Sequence, residues 1–121
     1  MAYRYRSTKS ILEATLALIE RPENWVRGVF ARSKPGGHEL RPQNPKATCF
    51  CLKGAMYRAT HDLDQHIDAA YRAEDAVVAA IRVIDPTYTS VHVIEFNDKH
   101  GAKAERHAQI VAALQAAIRA A

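Results

Sequence analysis

Of 121 residues only two are cysteine, one is tryptophan, and 7% are aromatic. Two cysteines cannot build a disulfide scaffold, so the chain must fold on an apolar core of its own. A chain near this length buries about two-thirds of its unfolded surface, which suffices without metal or disulfide staples. No apolar run approaches the roughly 18 unbroken residues of a membrane span. Met1-Ala2-Tyr3-Arg4-Tyr5-Arg6 leads into an amphipathic stretch and not into the apolar core of a secretory signal. Internal repeats, linkers and low-complexity tracts are also missing, apart from an alanine-rich tail. What is present is ordinary for a soluble globular protein, with 48% hydrophobic and 25% charged residues. These features predict a single domain over residues 1–121, cytoplasmic and without a membrane partner.

The net charge of +4 is unevenly spread. Both ends are basic, whereas residues 61–98 hold eight acidic residues against Arg72 and Arg82. This layout permits charge complementarity within the chain and equally with a partner. Arg4, Arg6, Lys9, Arg27, Arg32 and Lys34, with Tyr3, Tyr5 and Phe30 among them, are the raw material of a nucleic-acid surface. No recognition motif accompanies them, so a solvated basic rim is the favoured reading.

Spacing and breakers set the expected elements. Ser10 and Glu13 fit a capping box, and Ile11, Leu12, Thr15, Leu16, Leu18 and Ile19 follow with helical period up to Arg21-Pro22. Trp25 to Arg32 is β-prone and ends in the turn Ser33-Lys34-Pro35-Gly36-Gly37, with Pro42 and Pro45 in the extended arm beyond. Thr48 is a cap for a helix beginning near Cys49 and carrying Leu52, Ala55, Met56 and Ala59. Asp62 or Asp64 caps the next, striped by Ile67, Ala70, Tyr71, Val77, Ala80, Ile81 and Ile84. A break near Ala73-Glu74 would divide it, and Asp85-Pro86 ends it. Val91 to Phe96 is ambiguous, its β-branched content leaning to strand. Lys103 to Ala121 is the clearest helix. The expected fold is mainly α: a compact bundle of four to five helices with at most a small β-hairpin at about residues 25–45.

Three constellations carry candidate chemistry. Cys49-Phe50-Cys51 has a spacing poor for a disulfide and unlike the CxxC of zinc or redox sites, so both are read as free thiols. A cysteine in a first helical turn gains reactivity from the positive end of the helix dipole, although a small buried hydrophobe is the commoner fate. His61-Asp62-Leu63-Asp64-Gln65-His66 has metal-ligating residue types, but its spacing fits no standard site and a capped helix start explains it better. No metal and no cofactor is expected. Asn97-Asp98-Lys99-His100 supplies partners for Cys51: a thiol hydrolase needs Cys, His and Asn or Asp, here Cys51, His100 (or His92) and Asn97. Trp25 is read as a core or pocket-wall residue.

Taken in order, Trp25-Val26-Arg27-Gly28-Val29-Phe30-Ala31-Arg32, Cys51-Leu52-Lys53-Gly54-Ala55-Met56 and Phe96-Asn97-Asp98 resemble a family of small uncharacterised bacterial and phage proteins, a domain of unknown function. That family carries GWxxGxxAR, CALGAL and WND segments. Trp25, Gly28, Ala31 and Arg32 match the first; Cys51, Gly54 and Ala55 match the second; Asn97 and Asp98 match the third, with Phe96 in place of its tryptophan. The resemblance brings no activity, but it implies that Trp25, Arg32, Cys51, Asn97 and Asp98 belong to one binding framework, with Cys49 and Lys53 as local variation. Gly54-Ala55 within a helix suggests a close backbone approach, since glycine there costs about 1 kcal/mol relative to alanine. The last helix is the expected neighbour.

The leading functional expectation is a non-enzymatic binding or interaction module of phage or mobile-element origin, with a protein or small-molecule partner. The alternatives are a small Cys51 hydrolase and a nucleic-acid binder using the N-terminal basic segment. A homodimer is expected through the last helix, whose apolar face at Ala104, Ala108, Val111, Leu114 and Ile118 covers its own core and whose second face at Ile110, Ala113, Ala117 and Ala121 is left for the contact.

Overall fold

Caps and breakers decide where each element begins. The computed structural model describes residues 6–121, so Tyr3, Arg4 and Tyr5 of the basic segment lie outside the described residues. Helix α1 (Thr8–Ile19) is capped by Ser7, whose Oγ accepts from the Ser10 amide at 3.2 Å. The cap therefore falls one turn before the expected Ser10 and Glu13 pair. Pro22–Asn24 then forms a single 3-10 turn.

Strands β1 (Ala31–Arg32), β2 (Glu39–Leu40) and β3 (Cys49–Phe50) form an antiparallel sheet in the order β2-β1-β3. Ala31 stands opposite Leu40 on one side and Phe50 on the other. The sheet lies where a hairpin was expected and gains a third strand from residues 49–50. That strand corrects the expected helix start. Cys49 and Phe50 pair with β1, Thr48 donates its hydroxyl to the Ser33 carbonyl at 2.9 Å, and α2 (Leu52–Asp62) begins only after Cys51. Cys51 is its cap, with Sγ accepting from the Gly54 amide at 3.2 Å.

Helix α3 (Ile67–Ile84) is capped by His66, whose Nδ1 accepts from the Asp68 amide, and not by Asp62 or Asp64. It runs unbroken through Ala73-Glu74, because the buried Glu74 carboxylate finds partners. Helix α4 (Ile94–Asp98) replaces the strand leaning of residues 91–96. Val93, Phe96 and Asn97 are the buried positions here, a three- and four-residue spacing that only a helix satisfies.

Helix α5 (Lys103–Ala120) packs on α1 and α3, not chiefly on α2. Ile110, Ala113, Leu114 and Ala117 are its core face, meeting Ile11, Leu12, Val77 and Ile81 within one apolar cluster. Ala113 and Ala117, assigned above to a dimer contact, are thus covered by helices of the same chain. Gly54 does meet a close backbone, but it belongs to Phe30: a Cβ at position 54 would lie 2.0 Å from the Phe30 carbonyl oxygen. Among the described residues no helix is long and apolar enough to cross a membrane.

Candidate functional site

A single amide ties the molecule's short elements together. Helix α4 turns Asn97 inward, where it is 1% exposed. Asn97 Oδ1 accepts from the Trp25 indole Nε1 at 2.7 Å and from the Leu52 amide at 2.9 Å. Its Nδ2 donates to the Val26 carbonyl at 3.1 Å and to Asp98 Oδ1 at 2.8 Å. Two acceptances and two donations exhaust what a carboxamide offers. The Leu52 amide is one of the first-turn donors that a helix leaves unpaired, so Asn97 caps α2 from 45 residues away. Asp98 Oδ1 also accepts from the Gly28 amide at 3.0 Å, and Gly28 holds φ +83°, which favours glycine. Arg27 completes the tie by donating to the Lys99 and Gly101 carbonyls, each at 3.2 Å, with its guanidinium 5.7 Å from the Trp25 ring centroid.

An open cleft of about 150 Å³ sits beside this crossroads. Val29, Phe30 and Ile94 form apolar walls, Glu39 and Asp98 bring carboxylates, and Cys51 and Asn97 lie at its floor. Four of the five residues expected in one framework therefore come together: Trp25, Cys51, Asn97 and Asp98. Arg32 does not join them. Its Nη1 donates to the Gly37 carbonyl at 2.9 Å across the hairpin turn.

The thiol in this cleft is held protonated. Burial pushes Cys51 from its ordinary 9.0 up to about 11, and the Asp98 charge adds to the rise. The Gly54 amide acts in the opposite direction, as a helix start should, but burial outweighs it. A thiol hydrolase also needs a base beside the sulfur, and neither candidate histidine lines the cleft. His100 borders a separate hollow with Glu105 and Arg106, while His92 Nδ1 lies 3.6 Å from Glu74. Asn97 is adjacent to the thiol's cleft, but its hydrogen-bonding groups are fully spent on Trp25, Leu52, Val26 and Asp98.

A further buried cluster lies between α2 and α3, unmarked by any motif. Lys53 and Glu74, 6% and 4% exposed, form an ion pair with Nζ 2.5 Å from Oε1. Lys53 Nζ lies 5.5 Å from the Tyr57 ring centroid and 5.4 Å from that of Tyr71, and Glu74 Oε2 accepts from the Val93 amide at 3.1 Å. Lys53 joins α2 to α3 and, through Glu74, to the approach of α4. The available signal was Glu74 itself, a charge on the buried stripe between Ala70 and Val77.

The His61 to His66 segment serves helix ends. Asp62 accepts from the Arg58 guanidinium and His66 caps α3. Among the described residues, no three His, Cys, Asp or Glu side chains gather so as to hold a metal ion.

Fold and site define a small, mainly helical protein with a shallow cleft between a three-stranded sheet and a one-turn helix. Residues 4–120 match the model of a family of unknown function, DUF6197, and the chain belongs to that family. No curated protein and no solved structure matches it.

Proposed function

We propose that the protein is a non-enzymatic binding module that recognises a partner through the cleft bounded by Gly28–Phe30, Glu39, Cys51 and α4. The observation that carries this reading is the Asn97 crossroads: it fixes the walls of an open, half-apolar hollow while the one nucleophile within stays a neutral thiol. Pre-set walls lower the ordering cost of binding. Action in the cytoplasm, within one domain and with an origin on a phage or other mobile element, belongs to the same proposal.

In the nucleic-acid alternative Arg27 and Arg32 keep their charge, but each is anchored by Nη1 to a backbone carbonyl. A homodimer, if formed, would use the outer stripe of α5 at Ala104, Ala108 and Val111, since the inner stripe is consumed by the core.

Two-dimensional amide NMR with a mixed fragment panel tests the binding reading. Binding at the cleft shifts the amides of Gly28, Val29 and Asp98, and Ile94→Trp, which narrows the cleft from an exposed wall position, abolishes those shifts. A panel that leaves these amides unmoved contradicts the reading, as does ester hydrolysis that disappears in Cys51→Ser.

A further inference from the structure

Two carboxylates, Glu39 and Asp98, line the cleft. Glu74, Asp62 and Asp85 each pair with a lysine or arginine of the chain. Glu39 and Asp98 have no such ion pair among the described residues. Asp98 Oδ1 is occupied by the Gly28 amide and Asn97 Nδ2, which orients the group and leaves Oδ2 without a hydrogen-bond partner among the described residues. Lys53 and Lys99 pair with Glu74 and Asp85, and Arg27 and Arg32 direct Nη1 to backbone carbonyls of Lys99, Gly101 and Gly37.

The rest of the cleft limits what can neutralise this pair. Its walls are Val29, Phe30 and Ile94, with Phe30 41% and Ile94 38% exposed. At its floor lies Cys51, 5% exposed, whose sulfur accepts from the Gly54 amide and whose hydrogen donates to no partner among the described residues. A bare metal ion would want a third hard ligand close to the two carboxylates, and no such group of three exists among the described residues. The volume of about 150 Å³ equals that of a cavity able to hold roughly one benzene-sized group. A charged head on a short hydrocarbon stem answers all of these features together: the head to Glu39 and Asp98, the stem along Phe30 and Ile94 above an uncharged sulfur.

We propose that the cleft binds an alkylammonium or alkylguanidinium group, the chemistry of a lysine or arginine side chain or of a free small organic cation. This inference rests on the binding reading above and specifies its ligand. Within an overall positive protein, the two exposed carboxylates make a local negative patch beside apolar walls, which attracts a cation and turns an anion away.

Amide NMR titration of the whole protein uses n-butylguanidinium, n-butanol and butyrate as matched probes, plus a blocked arginine-containing tripeptide. The guanidinium is expected to shift Gly28, Val29 and Asp98, to bind at least tenfold more tightly than butyrate, and to weaken as salt is raised. Asp98→Asn, which keeps the acceptor for Gly28, and Glu39→Gln should each weaken it about threefold, the scale of an exposed ion pair. Tighter binding of the tripeptide than of n-butylguanidinium assigns the source to a peptide side chain; equal binding assigns it to a free cation. If butanol or butyrate binds the same amides as well as the guanidinium does, or if both carboxamide variants bind unchanged, the cation assignment is overturned while the cleft stands as a binding site. If no probe of any charge moves these amides, the cleft reading and the cation assignment both fail.

Discussion

Where α1, α3 and α5 meet, the protein is held by apolar side chains with little polar chemistry between them; Ile11, Leu12, Val77, Ile81, Ile110 and Leu114 fill the space. Where Trp25, the start of α2 and α4 meet, the elements are short and the bond is one amide, Asn97, with four hydrogen-bond partners. The first region spreads its stabilisation over many weak contacts, so no one residue is decisive. The second concentrates it, because loss of one side chain strands several buried polar groups together. Rigidity at the cleft therefore comes from the polar crossroads, and overall stability comes mainly from the helical layer.

The contrast is sharpest under substitution. Asn97→Ala leaves the Trp25 indole, the Leu52 amide and the Val26 carbonyl without partners and is expected to cost about 4 kcal/mol in urea unfolding, at roughly 1–3 kcal/mol per stranded group with incomplete additivity. Its native-state Trp25 emission should also shift, since the indole loses its acceptor. Ile110→Ala opens a hole in the helical layer and is expected to cost about 3 kcal/mol, with Trp25 emission unchanged. Equal emission changes in the two variants would dissolve the distinction between the regions. Gly54→Ala drives a methyl group against the Phe30 carbonyl and should cost about 2 kcal/mol, with the largest amide shifts at Phe30 and Cys51. The smallest effect belongs to Ala108→Glu on the exposed face of α5, expected to change stability by less than about 0.5 kcal/mol. A dimer broken by this last variant would show that the outer stripe is an interface.

Legibility in the sequence follows the same division. The α1, α3 and α5 helices were visible because their cores are built by period, with proline or glycine near the ends. The small sheet is half visible: the turn at Ser33 to Gly37 marks β1 and β2, but two-residue strands leave no alternation to read, so β3 merges in the sequence with the beginning of α2. The strand leaning at Val91 to Phe96 followed β-branched residues, yet Val91 and Ile94 are exposed and contribute nothing to a buried strand face. At the site, motif resemblance singled out Trp25, Cys51, Asn97 and Asp98, although spacing alone cannot reveal that one amide joins them. Glu39 went unnoticed because only the hairpin brings it to the cleft. The partnership of Lys53 with Glu74 depends on how α2 lies on α3, which no local pattern encodes.

The binding reading requires a preformed cleft whose buried thiol is structural and unreactive. Alkylation of Cys51 by iodoacetamide, followed against pH in the folded Cys49→Ser protein, tests it most directly. Burial keeps the proton on the folded-state thiol up to about 11, whereas the ordinary thiol loses it at 9.0. Between these values the unfolded chain has released a proton that the folded chain retains, so this group's contribution to stability is complete below 9.0 and is lost as pH rises toward 11. Negligible labelling at neutral pH, an inflection near 11, and a steeper alkaline loss of stability than in the Cys51→Ser counterpart are expected. Rapid, selective labelling of folded Cys51 at neutral pH, with an inflection below 9.0, would contradict the binding reading and restore the cysteine hydrolase.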